Sequence, residues 1–187
     1  MNIVISAVGG QGALFAARVI GRVALNNNYD VKVSEVHGMS QRGGSVITYV
    51  RFGKQIASPI VEEGYADVLL AFEMLEAARY VPYVKKQGVI IINDQKIKPQ
   101  PVVAGDCAYP DTIVDTIRTL DVKVELIDAT ARALEAGSSR AVNAVMLGAF
   151  AKHTLFSRDS WIQGITDASP AKFVQSNIDA FDNGYGK

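Results

Sequence analysis

From Asn2 to Ala7 the chain is a β-branched run that stops at glycines. From Gln11 to Leu25 the spacing changes, and Leu14, Val19, Ile20 and Val23 recur as they would on one face of a helix. This predicts a strand, a glycine turn and a helix packed on a sheet. Val31 to Val36 and Val46 to Phe52 read as the next two strands, and in the second of them Val46, Thr48, Val50 and Phe52 share a face by the two-residue period. The connection between them is short enough for an antiparallel return without a crossover helix, so a mixed sheet is expected.

The run ADVLLAF, Ala66 to Phe72, is nearly continuous in apolar residues, as a central strand buried on both faces requires, and Glu73 to Tyr83 reads as the helix after it. A strand follows at Val89 to Asn93. KIKPQPVV, with two prolines, reads as extended before a short strand around Val102 to Ala104. A helix from Asp111 through Leu120 and a strand from Val122 to Asp128 come next. Helices then span Ala129 to Ala136, Arg140 to His153, Arg158 to Ala168 and Pro170 to Phe181, the last with Ser169 as N-cap and Pro170 in the first helical position. Alternating strands and helices predict an α/β fold, a single three-layer α/β/α domain over 1–187 with a mostly parallel, mixed central sheet and a Rossmann-like first β-α unit. No repeat or low-complexity segment suggests a further division.

Composition narrows the chemistry. The 187 residues carry 19 basic and 19 acidic side chains, so there is no cationic excess to attract nucleic acid or an anionic membrane. Cys107 is the only cysteine; neither a disulfide framework nor a thiolate-ligated metal cluster can be assembled from this chain alone. The N-terminus is apolar for only a strand's length and lacks the basic lead of a secretory signal, and no segment approaches a membrane span, so a cytoplasmic protein is expected.

Three stretches carry candidate chemistry. AVGGQG, residues 7–12, sits between the first strand and helix, where backbone N–H groups and a helix dipole favour an anion. Against the G-x-G-x-x-G dinucleotide pattern it offers Ala7, Gly9 and Gly12, with Glu35 at the end of the second strand as a ribose partner. The alternative is that Gly9, Gly10 and Gly12 merely permit a tight turn. HGMSQRGGS, residues 37–45, is chemically mixed. Gly43 and Gly44 allow positive φ, Arg42 offers a fork of donors for a carboxylate or phosphate, His37 can hydrogen-bond or titrate, and Met39 adds an adaptable apolar contact. It suits contact with a ligand or partner, or is a solvated loop around a buried methionine. The third stretch, 138–153, is apolar all round from Ala141 to Ala151 except for Asn143, and must be buried either within the domain or against another chain, with a partner for the Asn143 amide in both cases. No nucleophile elbow or histidine–carboxylate cluster accompanies them, so no catalytic residue is expected.

VGGQG at 8–12, VSEVHGMSQRGGSV at 33–46, ADVLLAFEMLEAARY at 66–80 and RAVNAVMLGA at 140–149 occur together and in this order. In these stretches, and over essentially its whole length, the chain resembles the gamma-type domain of the 2-oxoacid:ferredoxin oxidoreductases, most closely in the branch that serves indolepyruvate. The resemblance implies oxidative decarboxylation of arylpyruvates to acyl-coenzyme A, with ferredoxin as electron acceptor and coenzyme A as cosubstrate. It places thiamine diphosphate, Mg2+ and the 4Fe–4S clusters on a large alpha subunit, so that this chain binds no cofactor alone, holds no metal and is inactive by itself. Gly9, Gly10, Gln11, Gly12, His37, Gly38, Met39, Ser40, Gln41, Arg42, Gly43, Gly44 and Asn143 are then expected to contact ligand or partner. Related gamma chains serve pyruvate and other 2-oxoacids, and a free-standing nucleotide-binding module is the alternative of another class.

Overall fold

The computed structural model describes residues 1–38 and 43–186. Its six strands, β1 (Asn2–Val8), β2 (Asp30–His37), β3 (Ser45–Gly53), β4 (Ala66–Ala71), β5 (Val84–Asn93) and β6 (Lys123–Ile127), form one sheet in the order β2-β3-β1-β4-β5-β6. β1, β4, β5 and β6 run parallel, while β3 is antiparallel to both β1 and β2. This is the mixed sheet that the short 37–45 connection requires, with β3 slotted between the first two strands. β4 is central and buried on both faces, as its continuous apolar run dictates.

Helices cover both faces: α1 (Ala13–Asn26), α2 (Met74–Tyr80), α3 (Gln100–Ala104), α4 (Ile113–Arg118), α5 (Ala129–Glu135), α6 (Val142–Ala151), α7 (Arg158–Ala168) and α8 (Val174–Tyr185). The two-residue period of β1 sorts its side chains between two cores. Ile3, Ile5 and Ala7 pack with α1 and α5 to α8, whereas Val4 faces α2 and α4. The larger core is centred on Trp161, whose ring meets Phe150 edge-on at 5.7 Å and stacks on Phe181 at 6.0 Å. Among the described residues no helix is long and apolar enough to cross a membrane.

Several local expectations are corrected. Residues 102–104 are not a strand, because Pro99 and Pro101 start the short helix α3, and Gly105 ends it in the left-handed region at φ 85°. Pro170 does not open the last helix. A 3-10 turn over Ala171–Phe173 intervenes, α8 begins at Val174, and the Ser169 hydroxyl accepts from Asn177 Nδ2 at 3.0 Å instead of capping a helix. α2 stops at Tyr80, before a 3-10 turn containing Pro82, and β5 starts at Val84, five positions before Val89, across a register shift against β4. Leu14 does not pack on the sheet. α1 begins only at Ala13, which turns Leu14 outward to 48% exposure and leaves a buried stripe of Ala16, Ala17, Val19, Ile20 and Val23.

The all-apolar helix is buried inside its own domain. α6 lies under α5, α8 and the sheet, with Ala144 to Ala151 essentially inaccessible. Its glycine is required by backbone contact, since a Cβ on Gly148 would stand 2.1 Å from the Phe181 carbonyl oxygen, and one on Gly184 of α8 would stand 1.9 Å from that of Val145. At the far end of α6, Lys152 Nζ and His153 Nε2 bond Glu125 of β6 at 2.8 and 3.0 Å. Burial alone would raise the Glu125 pKa, but the hydrogen bonds from Lys152 and His153, with the Lys152 charge, hold it below its ordinary value.

Gly148→Ala is expected to lower the melting temperature by roughly 2–12 °C through overpacking; an unchanged melt would contradict the close α6–α8 crossing. Because the folded-state pKa of Glu125 is depressed, its contribution is present above the unfolded value and fades as pH falls through the folded one. Glu125→Gln should therefore melt roughly 1–4 °C below the parent chain at pH 7, with the difference closing in melts taken progressively below pH 4.5.

Candidate functional site

The β1–β3 ladder does not end at its last strand pair, Val8 with Ser45. Gly9 N–H donates to the Gly44 carbonyl at 2.8 Å, and Gly43 N–H donates to the Gly9 carbonyl at 3.4 Å. The two glycine-rich stretches that stand more than thirty positions apart in sequence are thereby joined edge to edge. Since β2 pairs with β3 through His37 and Val46, the start of the 37–45 connection is held at the same end of the sheet.

A cleft of about 390 Å³ opens there. Residues 7–14 line it, together with Glu35, His37 and Val46. Glu35 and His37 share a face of β2 by the strand period. One Glu35 carboxylate oxygen accepts from the buried Thr48 hydroxyl at 3.3 Å, which fixes its direction. His37 is exposed, with Nδ1 at 3.1 Å from the Gly38 carbonyl. Gly9, Gly10, Gln11, Gly12 and His37 thus come together, and Gly38, Gly43 and Gly44 adjoin them. Met39, Ser40, Gln41 and Arg42 lie outside the described residues.

Gln11 has a structural task. Its Oε1 accepts from Val8 N–H at 2.7 Å, and its Nε2 donates to the Phe72 carbonyl and to Gln95 Oε1, each at 3.0 Å. The fully buried Asn93 extends this network, donating to the Phe72 carbonyl and to Gln95 and accepting from Ala129 N–H at the start of α5. One carboxamide therefore ties together the carboxyl ends of β1, β4 and β5. α1 lies on one face of the sheet and α2 on the other, so the space beyond β1 and β4 is the switch point at which open α/β sheets commonly bind dinucleotides. Here Gln11 lies across it, and with Ala7 in place of the first fingerprint glycine this weighs against the dinucleotide reading.

Gly12 caps α1 in the left-handed region at φ 86° with no side-chain hydrogen bond, and a Cβ there would lie 2.5 Å from Asn143 Nδ2. Asn143 therefore stands against the back of the glycine turn and not in the cleft. It is partly exposed, so its amide does not need the internal partner expected of a buried one. The orphan N–H groups of the first turn of α1 remain at the cleft edge.

Beneath the loop lie residues the sequence reading passed over. Glu73 and Glu76 are 1% and 4% exposed. Glu76 accepts from the Ser45 hydroxyl and from Arg79 Nε at 3.3 Å, and Ser45 also meets the Tyr80 hydroxyl at 3.1 Å. Glu73 caps α2 by accepting from Glu76 N–H, and accepts as well from Ile97 N–H and the Tyr109 hydroxyl. Burial, with the Glu73 hydrogen bond and charge next, pushes the Tyr109 phenol well above its ordinary pKa. The available signal is a pair of acids three apart, Glu73 and Glu76, set among the apolar residues of FEMLEAA, which a helical reading alone leaves unexplained. Among the described residues no three His, Cys, Asp or Glu side chains converge as a metal site would require.

The family model described as pyruvate ferredoxin/flavodoxin oxidoreductase matches residues 2–187. The chain is 42% identical over 189 residues to the indolepyruvate oxidoreductase subunit IorB of Thermococcus kodakarensis, covering 98% of this chain and 93% of that one. It is 43% identical over 190 residues to the subunit of the same name from Pyrococcus horikoshii, with the same coverages. The crystal structure of pyruvate oxidoreductase subunit PORC from Thermotoga maritima superposes with a TM-score of 0.75 at 19% identity, covering 100% of this chain and 96% of that one, a likeness of fold.

Gln11→Leu keeps the bulk but leaves the Val8 N–H without its acceptor. It should cost about 1–3 kcal/mol and speed amide exchange at Val8; exchange at the parental rate would show that the carboxamide does not hold the three strand ends.

Proposed function

The chain belongs to the pyruvate ferredoxin/flavodoxin oxidoreductase family, and from that premise we propose that it is the cofactor-free small subunit of a cytoplasmic 2-oxoacid:ferredoxin oxidoreductase acting on indolepyruvate or another arylpyruvate. The observation that carries this reading is the identity of 42% and 43%, over nearly full length, to two subunits named for indolepyruvate oxidoreductase. The reaction joins an arylpyruvate to coenzyme A, releases carbon dioxide and passes two electrons to ferredoxin. Thiamine diphosphate with Mg2+ and the 4Fe–4S clusters, which supply the carbon chemistry and the electron path, are assigned to a large partner subunit. With a single cysteine, Cys107, this chain has no thiolate set for a cluster of its own.

The part assigned to this chain is contact. The rim formed by Gly9, Gly10, Gly12, His37, Gly38, Gly43 and Gly44 meets the large subunit and borders the approach of coenzyme A or substrate, and Met39, Ser40, Gln41 and Arg42, which follow Gly38 in sequence, are assigned to the same contact. Its exposed backbone N–H groups and the Arg42 fork are suited to carboxylate or phosphate groups. His37 serves there as a polar contact and not as a proton-transfer residue. A second reading, a subunit serving pyruvate, is favoured by the family description.

Mixing the chain with its large subunit, thiamine diphosphate, Mg2+, coenzyme A and ferredoxin should restore indolepyruvate oxidation that neither protein shows alone. The substrate profile decides between the two readings, since a preference for pyruvate would overturn the arylpyruvate assignment. Tight binding of NAD or FAD by the isolated chain would instead favour a nucleotide-binding module.

A further inference from the structure

Gly12 separates the glycine cleft from a second cavity at the same end of the sheet. This one measures about 240 Å³ and lies where three elements converge: the first turn of α1, the 3-10 turn Ser139–Ala141 that leads into α6, and the 3-10 turn Ala171–Phe173 that leads into α8. Its walls include Phe15, Arg140, Asn143, Phe173, Ser176 and Asn177. The displaced start of the last helix shapes it, because the 3-10 turn after Pro170 sets Phe173 at the rim with 41% of its surface exposed.

The lining is chemically one-sided. No carboxylate borders the cavity. Arg140 is exposed at its mouth and forms no ion pair among the described residues, and Lys172 holds its ammonium 4.8 Å from the centre of the Phe173 ring. Asn177 donates to Ser169, which leaves its carbonyl oxygen as a free acceptor, and Asn143, whose Nδ2 lies toward Gly12, adds a second amide to the lining. Two aromatic rings, two amides and a guanidinium without an acid to neutralise it are the complement of a flat ring that carries a negative group. α6 and α8 begin here without side-chain caps, so their dipoles add to the Arg140 field.

We propose that this cavity is a binding site for a small planar aromatic anion, seated against Phe15 and Phe173 with its carboxylate or phosphate on Arg140 and its ring polar atoms read by Asn143 and Asn177. The volume sets the size class. At 240 Å³ it falls below the roughly 300–1,000 Å³ of sites that enclose a drug-sized ligand, so it admits one ring system with its anionic group and not a dinucleotide. The lining belongs wholly to this chain; in its aromatic-carboxylate form the site rests on the arylpyruvate reading given above, and binding to the chain alone is measured separately from turnover by the complex.

Titration calorimetry of the full chain with phenylpyruvate and with adenosine 5′-monophosphate tests it and separates the two sources of such an anion. One of the two is expected to bind saturably with one-to-one stoichiometry; phenylpyruvate alone identifies an aromatic carboxylate site, adenosine monophosphate alone a nucleotide site. Arg140→Ala should weaken that binding about tenfold or more, and Ser176→Trp, which fills the cavity from α8, should abolish it. Lys123→Ala, on the opposite edge strand, should leave it unchanged. Failure of both ligands to saturate the chain would overturn the proposal, as would affinities within about twofold of the parent in both Arg140→Ala and Ser176→Trp variants that melt at the parental temperature.

Discussion

The antiparallel ladder between β1 and β3, from Asn2 with Arg51 to Val8 with Ser45, is the constraint on which the other features hang. It inserts a returning strand between the two that precede it and makes β2 the sheet edge. It also delivers the end of the 37–45 connection onto the turn after β1. The Gly9–Gly44 hydrogen bond is its natural continuation. A slip of one residue would turn Val50 and Phe52 away from the α1 core and Ile47 and Tyr49 into it. Register, core and cleft are therefore one decision.

The same end of the sheet concentrates polar groups that would be costly if unpaired. Gln11 and Asn93 close the strand ends, and the buried carboxylates Glu73 and Glu76 hold the 97–109 segment and Ser45 from below. Each of these groups has the partners that burial demands. Their effect is to fix the frame around the glycine turns while leaving His37, Glu35 and the first turn of α1 facing outward. A contact surface needs this combination of a rigid base and outward-facing polar groups.

Much of this was legible in the sequence. The β1 run, the β2–β3 return and the continuous apolar β4 reported themselves through period and length, and helix α7 was bounded at Arg158 and Ala168 by pattern alone. What escaped were features decided by distant contacts. Gln11 looks like one more loop residue until Phe72 and Gln95 are beside it. Leu14 follows the apolar pattern, but the late start of α1 turns it out. The uniform apolarity of α6 left open whether another chain covers it, and only the glycine crossing with α8 answers that. At 99–105 and 169–174 proline was misread for the same reason: it marks a break in local structure, and tertiary context decides whether a helix begins at the break, as with α3, or several residues later, as with α8.

We propose above that the two glycine stretches, joined through β1 and β3, present a single contact surface to a larger subunit. Hydrogen–deuterium exchange of the chain alone and in the assembled complex tests it most directly. Assembly is expected to slow exchange in residues 7–14 and 35–46 together. Protection confined to the opposite edge at β6, or to one glycine stretch without the other, would contradict it.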